Sequence, residues 1–285
     1  MIKYLVSVLF LLNGCGEPSM NNGKPEIELA LNSSIETTLT STTVKLVKGC
    51  DSHFCNYQFS LPSTSEDLIK VKLITNNDAL SLDNIHNLNI VTTPSGAITD
   101  VDIYAAGVPQ DSKHEDAMSY FYRQVHNLAS SGWHRYIYPD EARISGEQAS
   151  KFDSKDEILG HSVSTGPWND PELQLSKTEW NALPAINTWM LHNGDQYLYL
   201  RVQRENSNDL PQDRGSYLFT MTFKSESEFY KEFIENENRE QWKELLPAEL
   251  NRMAQVRKST ETQLKKMGIE IDERYENPKV SALAN

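Results

Sequence analysis

Apolar and polar residues alternate through much of the chain between residues 27 and 104. Alternation with a period of two is typical of antiparallel strands, because it places one face of a sheet in a core and the other in solvent. Clusters of Asn, Asp, Ser and Pro separate the alternating segments, as turns between strands do. The predicted strands are residues 43–47, 57–61, 69–74, 88–91 and 98–104.

The pattern changes to a helical period after residue 111. Apolar side chains recur at helical spacing from Ala117 to Leu128, and Gly132 follows them as a C-terminal stop. Ser112 and Glu115 have the spacing of a capping box, which predicts that the helix begins here. A further strand is predicted at residues 133–138, before a Pro.

Residues 139–184 are less regular, and a hairpin pattern follows them. Residues 186–192 and 196–203 read as two strands around Asn193-Gly194, a dipeptide that favours a type I′ turn because both residues tolerate positive φ. Residues 215–223 add another predicted strand.

The last third of the chain has a helical pattern. Ser225 and Glu228 form a second capping-box spacing, which predicts a helix after Ser225. Pro247 is well tolerated at a first helical position, so a further helix is predicted to begin there. Its apolar stripe runs from residue 250 to residue 267, and Gly268 ends it.

This order of elements predicts an α+β fold, with antiparallel sheets, a central helix and C-terminal helices. The predicted divisions are a signal peptide at residues 1–14, a flexible tether at 15–26, and two α+β halves at 27–138 and 139–285. The tether is rich in Gly, Pro, Ser and Asn. Both halves run from strands to helices, which leaves open that they are related, although no sequence repeat accompanies the order.

The N-terminus has the pattern of a short secretion signal that stops at a cysteine. Lys3 supplies a positive charge, and the apolar residues 4–12 are interrupted only by Ser7. This stretch is much shorter than the ~20 residues that a membrane-spanning helix needs. Leu12-Asn13-Gly14-Cys15 resembles the bacterial lipobox, so cleavage before Cys15 and attachment of lipid to its side chain are expected. The alternative is an ordinary secretory signal followed by a Cys by chance.

Composition and charge limit the class of partner. Hydrophobic residues at 38% and charged residues at 24% indicate a folded globular protein rather than a disordered one. A formal net charge of -13 argues against nucleic acid, because phosphate binding needs clustered Lys and Arg. The same charge fits a basic protein partner, or only solubility. No glycine-rich phosphate loop or dinucleotide motif is present, so no cofactor is expected.

Cys50 and Cys55 lie close together in the sequence, with His53 between them. In the oxidising compartment that a secretion signal implies, this pair predicts a disulfide that closes a small loop. A metal site is the alternative because His53 is a possible third ligand. The spacing matches no common zinc pattern, and no second cluster supplies a fourth ligand, so no metal is expected.

Candidate catalytic groups are few, and the chain is not expected to be an enzyme. Ser162 lies in Gly160-His161-Ser162-Val163-Ser164, which begins like a nucleophile elbow but lacks its final Gly. Asp100 and Asp102 share one face of a predicted strand, where paired carboxylates can perform acid–base chemistry. The alternatives are a chance loop for Ser162 and a solvated sheet face for the aspartates. A hydrolase that uses either group remains a third hypothesis.

Two groups of residues are predicted to bind a partner. Trp168, Asn169 and Asp170 lie in a loop rich in Gly and Pro, where an exposed Trp beside polar groups is typical of an interface anchor. The alternative is that Trp168 folds back and covers a small core. Glu235 and Glu237 belong to an acidic run that is either a solvated face or a surface that steers a basic partner.

Three segments carry a resemblance to a known class of proteins: Gly132–Ile137, Ala142–Gly146 and the hairpin of residues 189–203. With the lipobox, the tether and the acidic body, they make the chain resemble periplasmic immunity lipoproteins. More narrowly, it resembles the immunity partners of type VI secretion effectors, including those that neutralise phospholipase toxins. No inhibitory residue is carried over from this resemblance.

The resemblance implies a protein of the cell envelope that faces the periplasm, anchored only through lipid on Cys15. The outer membrane is favoured because Gly16, rather than Asp, follows the lipidated Cys. The implied function is to bind a toxic effector encoded nearby and block its active site or its membrane docking. The alternative function is an envelope assembly or accessory lipoprotein that binds a structural partner.

Overall fold

The computed structural model describes residues 24–75 and 78–283, whose strands join in one large mixed sheet and one small antiparallel sheet. The predicted signal peptide, Cys15 and the tether up to residue 23 lie outside these residues. The first elements are β1 (Glu26–Ala30), α1 (Ile35–Ser41), β2 (Val47–Cys50), β3 (Cys55–Ser60), β4 (Ile69–Ile74), β5 (Ala79–Thr92), β6 (Ile98–Ala105), β7 (Ser112–Lys113), α2 (His114–Ser130) and β8 (His134–Arg135). The remaining elements are β9 (Glu157–Ile158), β10 (His161–Ser162), α3 (Lys177–Ala182), β11 (Ile186–Asn193), β12 (Gln196–Asn206), β13 (Arg214–Ser225), α4 (Glu226–Lys231) and α5 (Trp242–Lys266). Short 3-10 helices cover Gly146–Lys151, Pro167–Asn169, Asn236–Gln241 and Ser281–Leu283.

The path through the large sheet runs β1-β4-β5-β6-β13-β12-β11-β8. β4, β5 and β6 form one antiparallel meander, and β11, β12 and β13 form another. The last strands of the two meanders, β6 and β13, pair antiparallel, with Ile103 opposite Met221. Residues 27–138 and 139–285 therefore contribute to the same sheet, and the fold is α+β.

One face of the sheet carries the main hydrophobic core. Alternate residues of the central strands, such as Val101 on β6 and Phe223 on β13, point into it, and α2 contributes Phe121 to the same core. Full burial of one large aliphatic or aromatic side chain stabilises the fold by about 1.5–3 kcal/mol. The alternation of apolar and polar residues in the first half therefore arises, as predicted, because one face of the sheet is buried in a core.

The opposite face is covered over only part of its area. A second core forms under α4 and α5, where the ring of Tyr197 on β12 stacks on Phe229 of α4 with centroids 3.9 Å apart. Over the first meander the same face is polar, with Asn89 and Asp102 on adjacent strands. Helix α2 follows the first meander and helix α4 follows the second, and the two helices lie on opposite faces of the sheet. The two halves therefore have the same order of strands, but their helices pack on different faces.

Most of the predicted strands are confirmed. Residues 57–61, 69–74 and 98–104 correspond to β3, β4 and β6, and residues 88–91 belong to the longer β5. The strand predicted at residues 43–47 is wrong, because β2 begins only at Val47. The backbone N–H of Val44 instead donates to the hydroxyl of Thr42.

The central helix is confirmed as α2, and Gly132 after it has the positive φ of 78° that a helix C-terminus requires. The capping box at its start is wrong. The Ser112 hydroxyl donates to the carbonyl of Pro109, and Lys113 occupies the N-cap without a side-chain bond. A capping box does form at α3, between Ser176 and Glu179, where none was predicted.

The C-terminal helices begin at other residues than predicted. Ser225 is the N-cap of α4, but its side chain makes no capping bond, so the second capping box is also wrong. Pro247 lies inside α5 rather than at a helix start, because α5 already begins at Trp242. Gly268 follows this helix with a φ of 81°, as a helix C-terminus requires. No helix in the described part of the chain is both long and apolar enough to cross a membrane.

The predicted hairpin is confirmed as β11 and β12, with a different turn. Asn193 pairs with Gln196, so the two loop residues are Gly194 and Asp195 rather than Asn193 and Gly194. Gly194 has a φ of 59°, whereas the φ of Asp195 is not positive. Type I′ needs a positive φ at both loop residues, so this turn has the arrangement of type II′. The predicted disulfide joins Cys50 to Cys55 across the β2–β3 hairpin.

Candidate functional site

A cleft of about 1280 Å³ opens beside β8, the last strand on the path through the sheet. Its walls are the end of α2, β8 itself, and the segments 143–148, 170–174 and 270–276. Part of β11 completes the floor. Most of these segments are loops, so their positions depend on contacts other than the regular ladder of a sheet.

The side chain of Arg135 on β8 organises two of these loops. Its guanidinium donates to the carbonyl oxygens of Ile144, Thr165 and Gly166 at 2.8–2.9 Å, and to the carboxylate of Asp170 at 2.7 Å. Loop carbonyls that lack strand partners need other donors, and a guanidinium supplies several in one plane. One side chain therefore fixes segments that lie up to 35 residues from it in the sequence.

Asp170 completes this network from the other side. Its side chain also accepts the backbone N–H of Gly146 at 2.7 Å and that of Glu172 at 3.0 Å, and the residue is only 8% exposed. Burial lowers the pKa of the Arg135 guanidinium, and the charge of Asp170 opposes this shift. A Cβ at Gly146 would lie 2.8 Å from the Cβ of Leu173, so only glycine allows the loops to approach this closely.

The segment after α5 forms the third wall and is tied to residues 143–148. Arg143 binds Glu261 of α5 through two bonds of 2.8 Å, and its carbonyl accepts the N–H of Asp272. Gln148 makes two hydrogen bonds with the backbone of Glu270, at 2.6 and 2.9 Å. Burial acts to raise the pKa of Glu261, but the hydrogen bonds and charge of Arg143 outweigh it and hold that pKa below its ordinary value.

The floor of the cleft contains two facing histidines. His134 on β8 lies opposite His192 on β11, with ring centroids 6.2 Å apart. Burial, assisted by the charge of His134, lowers the pKa of His192 to about 4, so His192 is neutral at pH 7. Trp133 Nε1, Arg135 Nε and His192 Nδ1 are buried without a hydrogen-bond partner among the described residues. Such atoms are uncommon in folded proteins, and three belong to residues that line this cleft.

The rim carries an excess of negative charge. Among the residues that line the cleft, six carboxylates are exposed or half-exposed, namely Glu147, Glu172, Glu270, Asp272, Glu273 and Glu276. Arg274 on the rim is exposed, whereas Arg135 and Arg143 in the walls are each paired with a buried carboxylate. We call this site the acidic cleft, since a concave surface with one sign of charge attracts the opposite sign.

The structure places the first group of predicted partner-binding residues inside the protein. Trp168 is 4% exposed and belongs to the main core, with the ammonium of Lys155 3.0 Å from its ring centroid. Asn169 is buried and donates to the carbonyl of Thr188 at 3.0 Å. The interpretation of Trp168 as an exposed anchor is therefore wrong. The alternative was right that Trp168 folds back and is buried, but it packs in the main core rather than over a small separate one. Asp170 lines the acidic cleft, but its carboxylate is used within the protein.

Glu235 and Glu237 lie elsewhere, in and next to the 3-10 helix between α4 and α5. Both are exposed, and neither carboxylate makes a hydrogen bond or ion pair with the described residues. They do not line the acidic cleft. A partner-binding role for these two residues remains a prediction.

Asp100 and Asp102 share one face of β6, as predicted, on the polar part of the sheet. Asp100 pairs with the ammonium of Lys224 at 2.7 Å. Asp102 accepts the hydroxyl of Thr222 at 2.7 Å and the amide of Asn89 at 3.2 Å. The two carboxylates therefore stabilise contacts between neighbouring strands, which is the role of a structural sheet face.

Ser162 lies exposed in β10. Its hydroxyl makes no hydrogen bond to a histidine or carboxylate among the described residues, whereas a nucleophilic serine needs an adjacent base. Within residues 24–75 and 78–283, no group of three or more His, Cys, Asp or Glu side chains is placed to hold a metal ion.

Sequence reasoning missed most of the residues that build the cleft. The rim residues 270–276 follow the last predicted helix, where no motif marks them. One signal was present, because the three segments that carry the resemblance to immunity lipoproteins all contribute to this cleft. Trp133–Arg135, Arg143–Gly146 and Leu191–His192 are each among its lining residues. Comparison with known proteins found no family model, curated protein or solved structure that matches the chain.

Proposed function

We propose that the protein is a membrane-anchored inhibitor of the immunity type, which binds a toxic secreted effector in the periplasm and blocks it. The acidic cleft is the observation that supports this proposal. Its volume of about 1280 Å³ exceeds the ~300–1000 Å³ of typical small-molecule sites. A cleft of this size is better suited to part of a protein than to a metabolite.

The arrangement of the candidate catalytic groups favours binding over hydrolysis. Asp100 and Asp102 are occupied by contacts between strands, and the Ser162 hydroxyl makes no hydrogen bond to a base among the described residues, although Glu157 lies opposite it in the β9–β10 ladder. Blocking a toxin requires complementary shape and charge rather than reacting groups. The inhibitor then acts by covering the active site of the effector or the surface with which it docks on the membrane.

The expected location suits this role. Lipid on Cys15 would anchor the protein in the envelope, facing the periplasm, with the outer membrane favoured. The anchor concentrates the inhibitor at the surface where an incoming toxin attacks lipid or cell wall. The Cys50–Cys55 disulfide is compatible with an oxidising compartment.

The test is co-purification of residues 24–285 with the product of the adjacent gene, followed by an assay of that product's toxicity in the periplasm. We expect a stoichiometric complex and loss of toxicity. A neighbour that is harmless and does not bind would contradict the proposal and favour the envelope accessory role.

A further inference from the structure

We propose that the acidic cleft receives a segment of the partner that bears lysine or arginine side chains. This inference rests on the proposed function and specifies the chemistry of what the inhibitor holds. Three features of the cleft support it: unpaired negative charge on the rim, apolar surface between the charges, and walls that are fixed in advance.

The rim charge is only partly neutralised within the described residues. Asp272 has Arg274 3.5 Å away, and Glu273 is paired with Lys265. The remaining four rim carboxylates, which make no ion pair with described residues, are Glu147, Glu172, Glu270 and Glu276. A cationic partner would supply the charge that the protein itself leaves unmatched.

The lining between these carboxylates is partly apolar. Val125 on α2, Leu173 in the loop and Ile271 after α5 are half-buried and contribute aliphatic surface. Lysine and arginine have long hydrocarbon stems that pack on such surface while the charged end stays polar. The mixed lining therefore matches these two side chains better than it matches a small inorganic cation, for which the apolar surface offers nothing.

The walls need little rearrangement on binding. Arg135 and Asp170 fix the loops at residues 143–148 and 170–174, and Arg143 with Glu261 fixes the segment after α5. Affinity improves when a site does not have to order its loops during association. The rim carboxylates therefore present a defined pattern to the incoming segment.

The first test uses a fluorescein-labelled hexa-arginine amide as the probe, with binding to the folded body measured by fluorescence anisotropy. The rim variant carries Glu147→Gln, Glu172→Gln, Glu270→Gln and Glu276→Gln. The matched control carries Glu36→Gln, Glu66→Gln, Glu157→Gln and Glu205→Gln, which are also exposed, change the charge by the same amount and do not line the cleft.

We expect the rim variant to bind the probe about tenfold more weakly or worse, and the control to lose only about twofold, because rim charges act at short range in salt. The affinity of the wild-type protein should fall as salt is raised. Equal losses in the two variants would overturn the inference, since the probe would then sense only net charge. A larger loss in the control would also overturn it, since the probe would then bind outside the cleft.

The second test separates this inference from the proposed function by measuring the complex with the product of the adjacent gene. If that complex forms and the rim variant weakens it while the control does not, both proposals are supported. A complex that the rim variant leaves unchanged would overturn the cleft inference and leave the inhibitor proposal standing. If the neighbour does not bind but the probe behaves as expected, the inhibitor proposal fails and the cleft chemistry survives.

Discussion

The strands of residues 55–105 and the loops of residues 139–175 are held in place in different ways. In the strands, side chains such as Val71, Leu88 and Ile103 are buried on one face, and many similar contacts share the stabilisation. In the loops, a few charged groups make most of the long-range contacts, with Arg135 and Asp170 at their centre. The strand region should therefore tolerate single losses better than the loops that form the acidic cleft.

The largest effect is expected from Asp170→Ala. The substitution leaves the guanidinium of Arg135 buried without its carboxylate and removes the acceptor of the Gly146 N–H. Breaking a buried ion pair from one side costs about 3–5 kcal/mol, so the free energy of unfolding in urea should fall by that amount. Asp83→Ala, at an exposed position, is the control and should change it by less than about 0.5 kcal/mol.

Hydrogen exchange should show where Asp170→Ala acts. We expect the amides of residues 139–175 to lose protection before those of β5 and β6, because the loops depend on this one network. A uniform loss of protection over both regions would contradict the comparison, since the loops and strands would then unfold as one unit.

A strand substitution, Leu88→Ala, is expected to cost slightly less. Leu88 is fully buried on β5, and truncation leaves a cavity in the main core. Such changes lower the free energy of unfolding by about 2–5 kcal/mol, and the rest of the sheet limits the local consequences. Leu88→Met keeps the volume and should cost less than about 1.5 kcal/mol in the same urea titration. A selective loss of protection in residues 139–175 would contradict this expectation.

The difference between strands held by many buried apolar side chains and loops held by a few polar groups also decides how much of the fold could be predicted from the sequence. β4, β6 and the β11–β12 hairpin were found from sequence because burial on one face imposes a period of two on the residues themselves. The hairpin turn was placed one residue early, since pairing of Asn193 with Gln196 depends on the register of the whole ladder. The capping box at Ser112 failed because its hydroxyl found another acceptor, the carbonyl of Pro109.

The acidic cleft was much less predictable. Arg135 binds backbone carbonyls about 30 residues away, and no side-chain pattern in the sequence marks a carbonyl acceptor. Trp168 could be placed in a loop, but its burial depends on where Lys155 and the main core lie in space. Local pattern predicts elements, whereas loops held by single polar groups become visible only in the structure.

The disulfide offers a test at the edge of the strand region. Replacing both cysteines, as Cys50→Ser and Cys55→Ser, releases a loop with a sequence separation of 5 residues. The chain-entropy relation assigns such a short loop about 2 kcal/mol, so the free energy of unfolding should fall by roughly that amount. β2 is exposed along its length, so the loss of protection should stay in the β2–β3 hairpin. Spread of the effect to β5 and β6 would show that the hairpin supports the main sheet.

The smallest expected effect is the pH response of the cleft floor. The pKa of His192 is lowered to about 4 by burial and then by His134, so between pH 6.5 and 4 the unfolded chain binds more protons at this site. The free energy of unfolding must therefore decrease as pH falls through this window, by about 1 kcal/mol once the partial exposure of the ring is allowed for. Urea titrations at pH 7 and pH 4.5 measure this slope, and His192→Gln should make it shallower while leaving stability at pH 7 little changed. If the free energy of unfolding changed equally with pH in the wild-type protein and in His192→Gln, the floor of the cleft would not desolvate His192. The pH response would then not distinguish the cleft from the apolar core of the strands.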